Sequence, residues 1–366
     1  MKSLAVDSNQ FHSSQISEVQ NIKGQVTWQS PSNIALIKYW GKYGVQLPKN
    51  PSLSLGLSEA YTTTRVQYIA KKEQVSRHKF LFEGQENILF EKKIFKFIDE
   101  LDSVFPFLSQ LDLIIESKNS FPHSAGIASS ASSMSALALC LCSIEKEVVG
   151  SLTKLDDFYK KASYVSRLGS GSASRSIYGA YSIWGELAEY SGSSNVYAIP
   201  MNSGIHPIFS KLCDTILIVN DQEKKVSSRA GHALMNGHPY AEARLTQSHY
   251  NLDRLMKALV NGDKDLFVEV VENEAMSLHA LMMSSKPWYS LLHPNTLIIL
   301  DKIRSFREES GVFISFTLDA GPNVHLLYAE EDKQQVLAFI ENELLIYCVD
   351  RKAIHDKLGC GPKKIV

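Results

Sequence analysis

The spacing of apolar and polar positions changes several times along this chain, and each change marks an element. Residues 25–30 (QVTWQS) alternate, with Val26 and Trp28 on one face, and read as a strand. Residues 62–70 (TTTRVQYIA) and 79–91 (KFLFEGQENILFE) carry strand-forming side chains, the second as a hairpin turning at Gly84-Gln85-Glu86-Asn87. The pattern then predicts a helix over 92–101, a strand over 111–116 and a helix over 127–145, apolar from Ala136 to Ile144. In 153–168, Leu155, Phe158, Ala162 and Val165 share one face, the mark of an amphipathic helix. A strand over 179–184 follows.

Residues 190–206 (YSGSSNVYAIPMNSGIH) are rich in turn formers, which places a domain boundary near residue 200. Beyond it the pattern predicts a strand over 214–219, two or three helices between 239 and 309, strands over 312–317 and 324–328, and a helix over 331–343. Strands interleaved with clustered helices predict an α+β fold and not a doubly wound parallel sheet. The expected division is a flexible polar extension over 1–24, an N-terminal domain over 25–200 and a C-terminal domain over 201–366. A chain of 366 residues is long enough for two such cores.

Charge and cysteine usage narrow the function classes. The formal net charge of −1 gives no basic excess for nucleic acid or an anionic membrane, so neither partner is expected. No run of 18 apolar residues suggests a membrane span, and residues 1–24 lack the apolar stretch of a signal peptide. The five cysteines are odd in number, with no pair at metal-ligand spacing, and the eleven histidines form no H-E-x-x-H. No metal-ligating residues are expected, and a reducing cytoplasm fits.

Four segments carry candidate chemistry. Residues 121–135 (FPHSAGIASSASSMS) run from a strand through a small-residue loop into a helix, the arrangement that offers backbone N–H groups to a phosphate. Neither a Walker lysine nor a G-x-G-x-x-G is present, which disfavours P-loop and dinucleotide sites. In residues 32–42 (SNIALIKYWGK), Lys38 and Lys42 flank Tyr39 and Trp40; on a helix they would share a face and call for an anion, and otherwise they are solvated cations. Arg175 ends a Gly/Ser cluster beginning at Gly169; it suits a bidentate grip on a carboxylate, or is a surface arginine at a loop. Asp319 stands between an apolar strand and a Gly-Pro turn, as a turn cap or as a carboxylate at a cleft edge. Residues 226–231 (VSSRAG) add a second hydroxyl-plus-arginine cluster.

Taken in order, these segments resemble the galactokinase–homoserine kinase–mevalonate kinase–phosphomevalonate kinase (GHMP) superfamily, and within it the diphosphomevalonate decarboxylases. Lys38-Tyr39-Trp40-Gly41-Lys42, the stretch from Gly169 to Ser176, and Asp319-Ala320-Gly321-Pro322-Asn323 carry the narrower resemblance. It implies a two-domain fold, with an N-terminal domain of the kind found in a ribosomal protein, a C-terminal α/β sandwich and an active-site cleft between them. It also implies ATP, Mg²⁺, mevalonate 5-diphosphate as substrate, isopentenyl diphosphate, ADP, phosphate and CO₂ as products, and a homodimer. By the same resemblance Asp319, Lys38 and Arg175 are catalytic, Arg175 on the substrate carboxylate. Tyr39, Lys42, Ser172 and Ser228 bind substrate, and Gly126, Ala128, Ser129 and Ser130 belong to the ATP loop. A decarboxylase acting on the 5-monophosphate and a kinase without decarboxylation remain open alternatives. Pro51 and His232 depart from the family pattern, the latter standing where methionine is common.

Overall fold

The computed structural model describes residues 9–14, 19, 22–72, 77–122, 127–201, 204–222 and 226–366. The first half contains β1 (Lys23–Ile37), β2 (Lys42–Tyr43), β3 (Leu47–Pro48), β4 (Ser52–Ala70), β5 (Lys79–Phe82), β6 (Gln85–Glu86), α1 (Ile88–Asp99), β7 (Leu111–Asn119), α2 (Ser129–Val148), α3 (Leu155–Gly169), β8 (Tyr181–Trp184) and β9 (Ala198–Met201). The second half contains β10 (Leu212–Leu217), α4 (Ser228–Ala233), α5 (Ala241–Asn261), α6 (Lys264–Met283), α7 (Pro294–Ser310), β11 (Ile314–Leu318), β12 (Val324–Ala329), α8 (Lys333–Phe339), β13 (Ala353–Lys357) and β14 (Lys363–Lys364). The fold is α+β, as expected.

Among the described residues, a sheet ordered β14-β1-β4-β7-β5-β6, with β8 and β9 added on β4, dominates the first half. The second half holds a sheet ordered β11-β12-β10-β13. Strand β4 belongs to three ladders: it pairs with β1 along most of its length, Ser52–Leu55 also pair with β8, and Thr62–Ala70 also pair with β7. The first strand is longer than its alternation suggested. It continues past Pro31 to Ile37, with register breaks between Pro31 and Asn33 and between Ala35 and Ile37. At the first break the extra residues lie on β4, between Gly56 and Tyr61, where Asp356 takes the backbone N–H groups; at the second the extra residue lies on β1 and re-aims the side chains that follow.

Residues 88–91 are helical, not the second arm of a hairpin. The Asn87 side chain accepts the Phe90 N–H at 3.0 Å and starts α1 there. The hairpin is tighter than expected and turns on Glu83 and Gly84, both at positive φ. The helices expected between 239 and 309 are α5, α6 and α7, the short α4 precedes them, and the last expected helix is shortened to α8 followed by a π turn over Ile340–Leu344.

Helix α2 is buried along most of its length and packs with α3 against the first sheet; Leu137, Leu139, Leu141 and Ile144 join Val26, Val66 and Leu113 in one core. A second core crosses the expected domain boundary. Ile34, Leu36, Leu53 and Leu55 of the first sheet meet Leu255 of α5, Val270 of α6 and Ile216 of β10. The C-terminus ties the halves again: Asp356 accepts the N–H groups of Ser58, Glu59 and Ala60 at 2.8, 2.9 and 2.7 Å, and β14 pairs with β1. Within the segment read as an extension, Phe11 is buried and stacks on Tyr164 at 4.5 Å, and Ser13 donates to the Val104 carbonyl.

Candidate active site

A cavity of about 270 Å³ opens where the two sheets approach. Its walls come from four places: the chain after β1, the N-terminus of α2, the short 3₁₀ turn Gly171–Ile177, and the pair formed by α4 and the turn after β11. Lys38, Lys42, Arg175 and Arg229 line it, with Asp319 as the acid among the lining residues, so it suits a polyanion.

Lys38 follows the last residue of β1, and its peptide is clamped at both ends. Its N–H donates to Glu274 Oε2 at 2.8 Å, and its carbonyl accepts from Arg244 at 3.0 Å and Asn50 at 2.9 Å. Glu274 in turn holds Arg244 bidentately at 2.7 and 2.5 Å and accepts from Asn251 at 2.7 Å, all within the interior. The buried Lys38 Nζ reaches the Ala35 carbonyl at 2.5 Å and Asp319 Oδ1 at 3.3 Å. Burial pulls its pKa below the usual lysine range, while Asp319 and Glu274 pull upward.

Arg175 is also buried. It donates to Ser52 Oγ at 2.6 Å and Asn33 Oδ1 at 3.4 Å and lies 5.7 Å from the Trp184 ring centroid. Burial lowers its pKa to about 10, against the upward pull of Asp319 and Tyr39. Asn33 also donates to Ser176 Oγ at 2.7 Å and to the Ser172 carbonyl at 3.2 Å, which joins β1 to the 3₁₀ turn. Gly171 permits the close approach: a Cβ there would stand 2.9 Å from Trp184 and 3.0 Å from the Tyr39 hydroxyl. Asp319 is partly exposed to the cavity, and its carbonyl takes the Gly321 N–H at 2.7 Å.

The expected residues largely converge. Lys38, Tyr39, Lys42, Ala128, Ser130, Ser172, Arg175, Ser228 and Asp319 all line the one cavity. Ser129 does not line it: at the start of α2 it is the half-buried residue, while Ser130, 3.3 Å from Ser170, takes the exposed position on the wall. Gly126 lies outside the described residues. Lys38 and Lys42 do not share a helical face. Lys38 ends a strand and turns inward to Asp319, whereas Lys42 opens β2 and reaches Gln46 at 2.9 Å. The Tyr39 hydroxyl is enclosed and meets no hydrogen-bond partner among the described residues. At the α2 entrance Ala128 adopts a left-handed conformation and gives no side-chain cap; its carbonyl takes the Ala131 N–H at 2.7 Å, and the Ser129 and Ser130 N–H groups meet no partner among the described residues, which suits an anion.

The sequence reading missed Glu274, Arg244 and Asn251, which brace the main chain beneath Lys38. Their one signal is a charge on an apolar helical face: Glu274 falls among Val270, Val271, Ala275 and Leu278.

Two α+β halves enclose a cationic cavity with a helix N-terminus and a carboxylate on its walls, a site suited to a small phosphorylated anion. The family model for the diphosphomevalonate decarboxylase-like N-terminal domain matches residues 30–197, and that for the mevalonate 5-diphosphate decarboxylase C-terminal domain matches residues 215–363. The chain belongs to the diphosphomevalonate decarboxylase family. It is 29% identical to diphosphomevalonate decarboxylase of Saccharomyces cerevisiae over 85% of this chain and 79% of that one. The crystal structure of mevalonate diphosphate decarboxylase from Staphylococcus aureus is similar with a TM-score of 0.80 at 29% identity, covering 95% of this chain and all of that one (100%). A structure of MDDEF in complex with MVAPP, AMPPCP and magnesium is similar with a TM-score of 0.78 at 28% identity, covering 94% of this chain and 99% of that one.

Proposed function

We propose that this protein uses ATP to phosphorylate the 3-hydroxyl of mevalonate 5-diphosphate and then eliminates phosphate and CO₂, giving isopentenyl diphosphate and ADP. The observation that carries the reading is the convergence of Asp319, Lys38 and Arg175 on a cavity otherwise walled by Lys42, Arg229 and the open start of α2.

In the proposed mechanism the substrate 5-diphosphate lies against Tyr39, Lys42, Ser228 and Arg229, and its carboxylate against Arg175. The reacting hydroxyl then sits by Asp319. An ordinary carboxylate is too weak a base to deprotonate a tertiary alcohol beforehand, with a pKa of roughly 4. Phosphoryl transfer is loose, so Asp319 serves by orienting the hydroxyl and taking its proton late. Lys38, cationic beside Asp319, balances the charge gathering on the transferring oxygens. When the C3–O bond breaks, the phosphate leaves with the bonding pair; Asp319, having passed its proton to that phosphate or to solvent, is again a carboxylate and offsets the positive charge growing at C3. The electrons of the C–C bond to the carboxylate become the new C=C bond, and CO₂ departs. Arg175 is fixed by Ser52 and Asn33, so it aligns that bond without following the substrate.

ATP phosphates are assigned to the α2 N-terminus with Ala128, Ser129 and Ser130, and Gly126 is proposed for the same loop. Among the described residues no cluster of acids, histidines and cysteines could hold a metal by itself. The fit is to Mg²⁺ arriving on the nucleotide, which keeps mostly phosphate and water ligands, with the Ser130 hydroxyl and the Asp319 carboxylate as protein oxygens nearby. Once bound, the ion neutralises charge on the β- and γ-phosphates.

A homodimer in the cytoplasm completes the proposal. The cysteines are free thiols, four of them buried, which suits a reducing compartment. No helix among the described residues is long and apolar enough to cross a membrane. A coupled assay tests the reading: mevalonate, its 5-phosphate and its 5-diphosphate are compared, with ADP and CO₂ both measured. Equal ADP and CO₂ from the 5-diphosphate are expected. Faster CO₂ release from the 5-phosphate, or ADP without CO₂, would overturn it.

A further inference from the structure

His232 stands where the two halves of the cavity wall meet, and the mechanism above leaves it unused. Its helix, α4, closes tightly on Trp40 because Gly231 precedes it; a Cβ at Gly231 would lie 2.7 Å from the Trp40 ring and 2.5 Å from the Tyr289 hydroxyl. The imidazole is held between Tyr39 and Trp40, with ring centroids 4.3 and 4.5 Å away. Its Nδ1 accepts the Gly41 N–H at 3.0 Å. An amide N–H only donates, so Nδ1 carries no proton and the neutral ring carries its proton on Nε2. No hydrogen bond to Nε2 forms among the described residues, yet that atom is not among the enclosed polar atoms lacking partners. His232 lines the cavity, so a partner for the Nε2–H would have to come from there.

The surrounding charges define what such a donor meets. Burial first, then Lys42 and Arg175, push the His232 pKa down to about 3. Arg229, on the same short helix, lines the cavity too. A ring that stays neutral among three cations donates without adding charge, and the cations around it select an anion as its acceptor.

We propose that His232 is a substrate-binding residue that favours the diphosphate: its Nε2–H donates to a diphosphate oxygen on the wall shared by Lys42 and Arg229, while its Nδ1 holds the Gly41 amide in place. The inference rests on the diphosphate reading above and deepens it. It also gives a purpose to a histidine at a position where the resemblance leads one to expect methionine. A thioether has neither an N–H to donate nor a nitrogen to receive the Gly41 amide.

Two substitutions separate the two nitrogens. His232→Asn retains an acceptor near Nδ1 and removes the donor, and His232→Gln restores an amide donor near Nε2. With mevalonate 5-diphosphate and ATP, His232→Asn is expected to raise KM for the diphosphate about tenfold, the scale of one hydrogen bond to a charged group, and to change kcat and the KM for ATP far less. His232→Gln is expected to recover most of that loss. An unchanged diphosphate KM in His232→Asn, or equal rises in both KM values, would overturn the proposal. Should both variants fail to fold, the wild-type enzyme labelled with ¹⁵N-histidine answers instead. Its protonated Nε2 signal should shift on adding mevalonate 5-diphosphate or inorganic diphosphate, and a signal that does not move refutes the contact. Failure of the decarboxylase reading is distinguishable, because wild type would then release no CO₂ while the inorganic diphosphate titration still reports on His232.

Discussion

At the residue scale, the cavity works through charges that folding has stripped of water. Lys38 and Arg175 are both buried, and both have pKa values lowered chiefly by burial, yet each remains beside Asp319. In that setting a carboxylate acts on its neighbours far more strongly than it would in water. Asp319→Asn keeps the shape and removes the charge. Its turnover is expected to fall at least about a thousandfold while ATP affinity stays nearly intact, as checked by single-turnover CO₂ release and nucleotide titration. Arg175→Ala should weaken catalysis far more than nucleotide binding; an equal loss of both would assign it a structural role. Spacing alone left these residues open, as a solvated lysine, a surface arginine and a turn cap, and the resemblance carried by the motifs around them gave them their expected roles. Glu274 was not legible. A lone glutamate in a helix carries the same letter whether it faces solvent or, as here, the Arg244 guanidinium and the Lys38 amide.

At the scale of elements, local spacing and tertiary pairing compete, and pairing wins near the site. Two lysines four residues apart suit a helix, but the ladder with β4 carries β1 to Ile37 and leaves Lys38 at a strand end. Gly41, with φ of +94°, then turns the chain into β2. Helix α6 supports this strand end through Glu274, which binds the Lys38 amide, Arg244 and Asn251 at once. Truncating one partner of such a buried pair leaves an uncompensated charge. Glu274→Ala is expected to cost about 3–5 kcal/mol of stability in urea unfolding, with loss of kcat as the Lys38 position relaxes. Helices α2 and α3 were read correctly to within a few residues, because long apolar periodicity survives its surroundings. Strand β4 was recognised only in its second half, since Ser52–Leu55 owe their conformation to pairing with β8, more than a hundred residues away.

At the scale of the whole molecule, the halves are joined by more than a linker. One hydrophobic core spans both, Asp356 caps three amides of the first sheet, and the C-terminal residues return to pair with β1. The closeness is steric as well: a Cβ on Gly359 would lie 2.2 Å from the Leu57 carbonyl. Deleting residues 359–366 removes the hydrogen bonds from Gly359 to Gly56, from Ala180 to Gly359 and between Thr27 and the last two residues. With each bond contributing about 1 kcal/mol net, the melting temperature should fall by roughly 5 °C or more in calorimetry, with catalysis impaired as the cavity walls loosen. By itself the sequence determined the α+β class and the long helices, because periodicity is a local property, and its motifs carried the resemblance on which Lys38, Arg175 and Asp319 are proposed for the reaction. Only the tertiary structure decided that Lys38 faces Asp319, that Glu274 braces it and that His232 packs between Tyr39 and Trp40 on the cavity wall. Those facts depend on burial and on contacts between residues far apart in the chain, which local spacing does not encode.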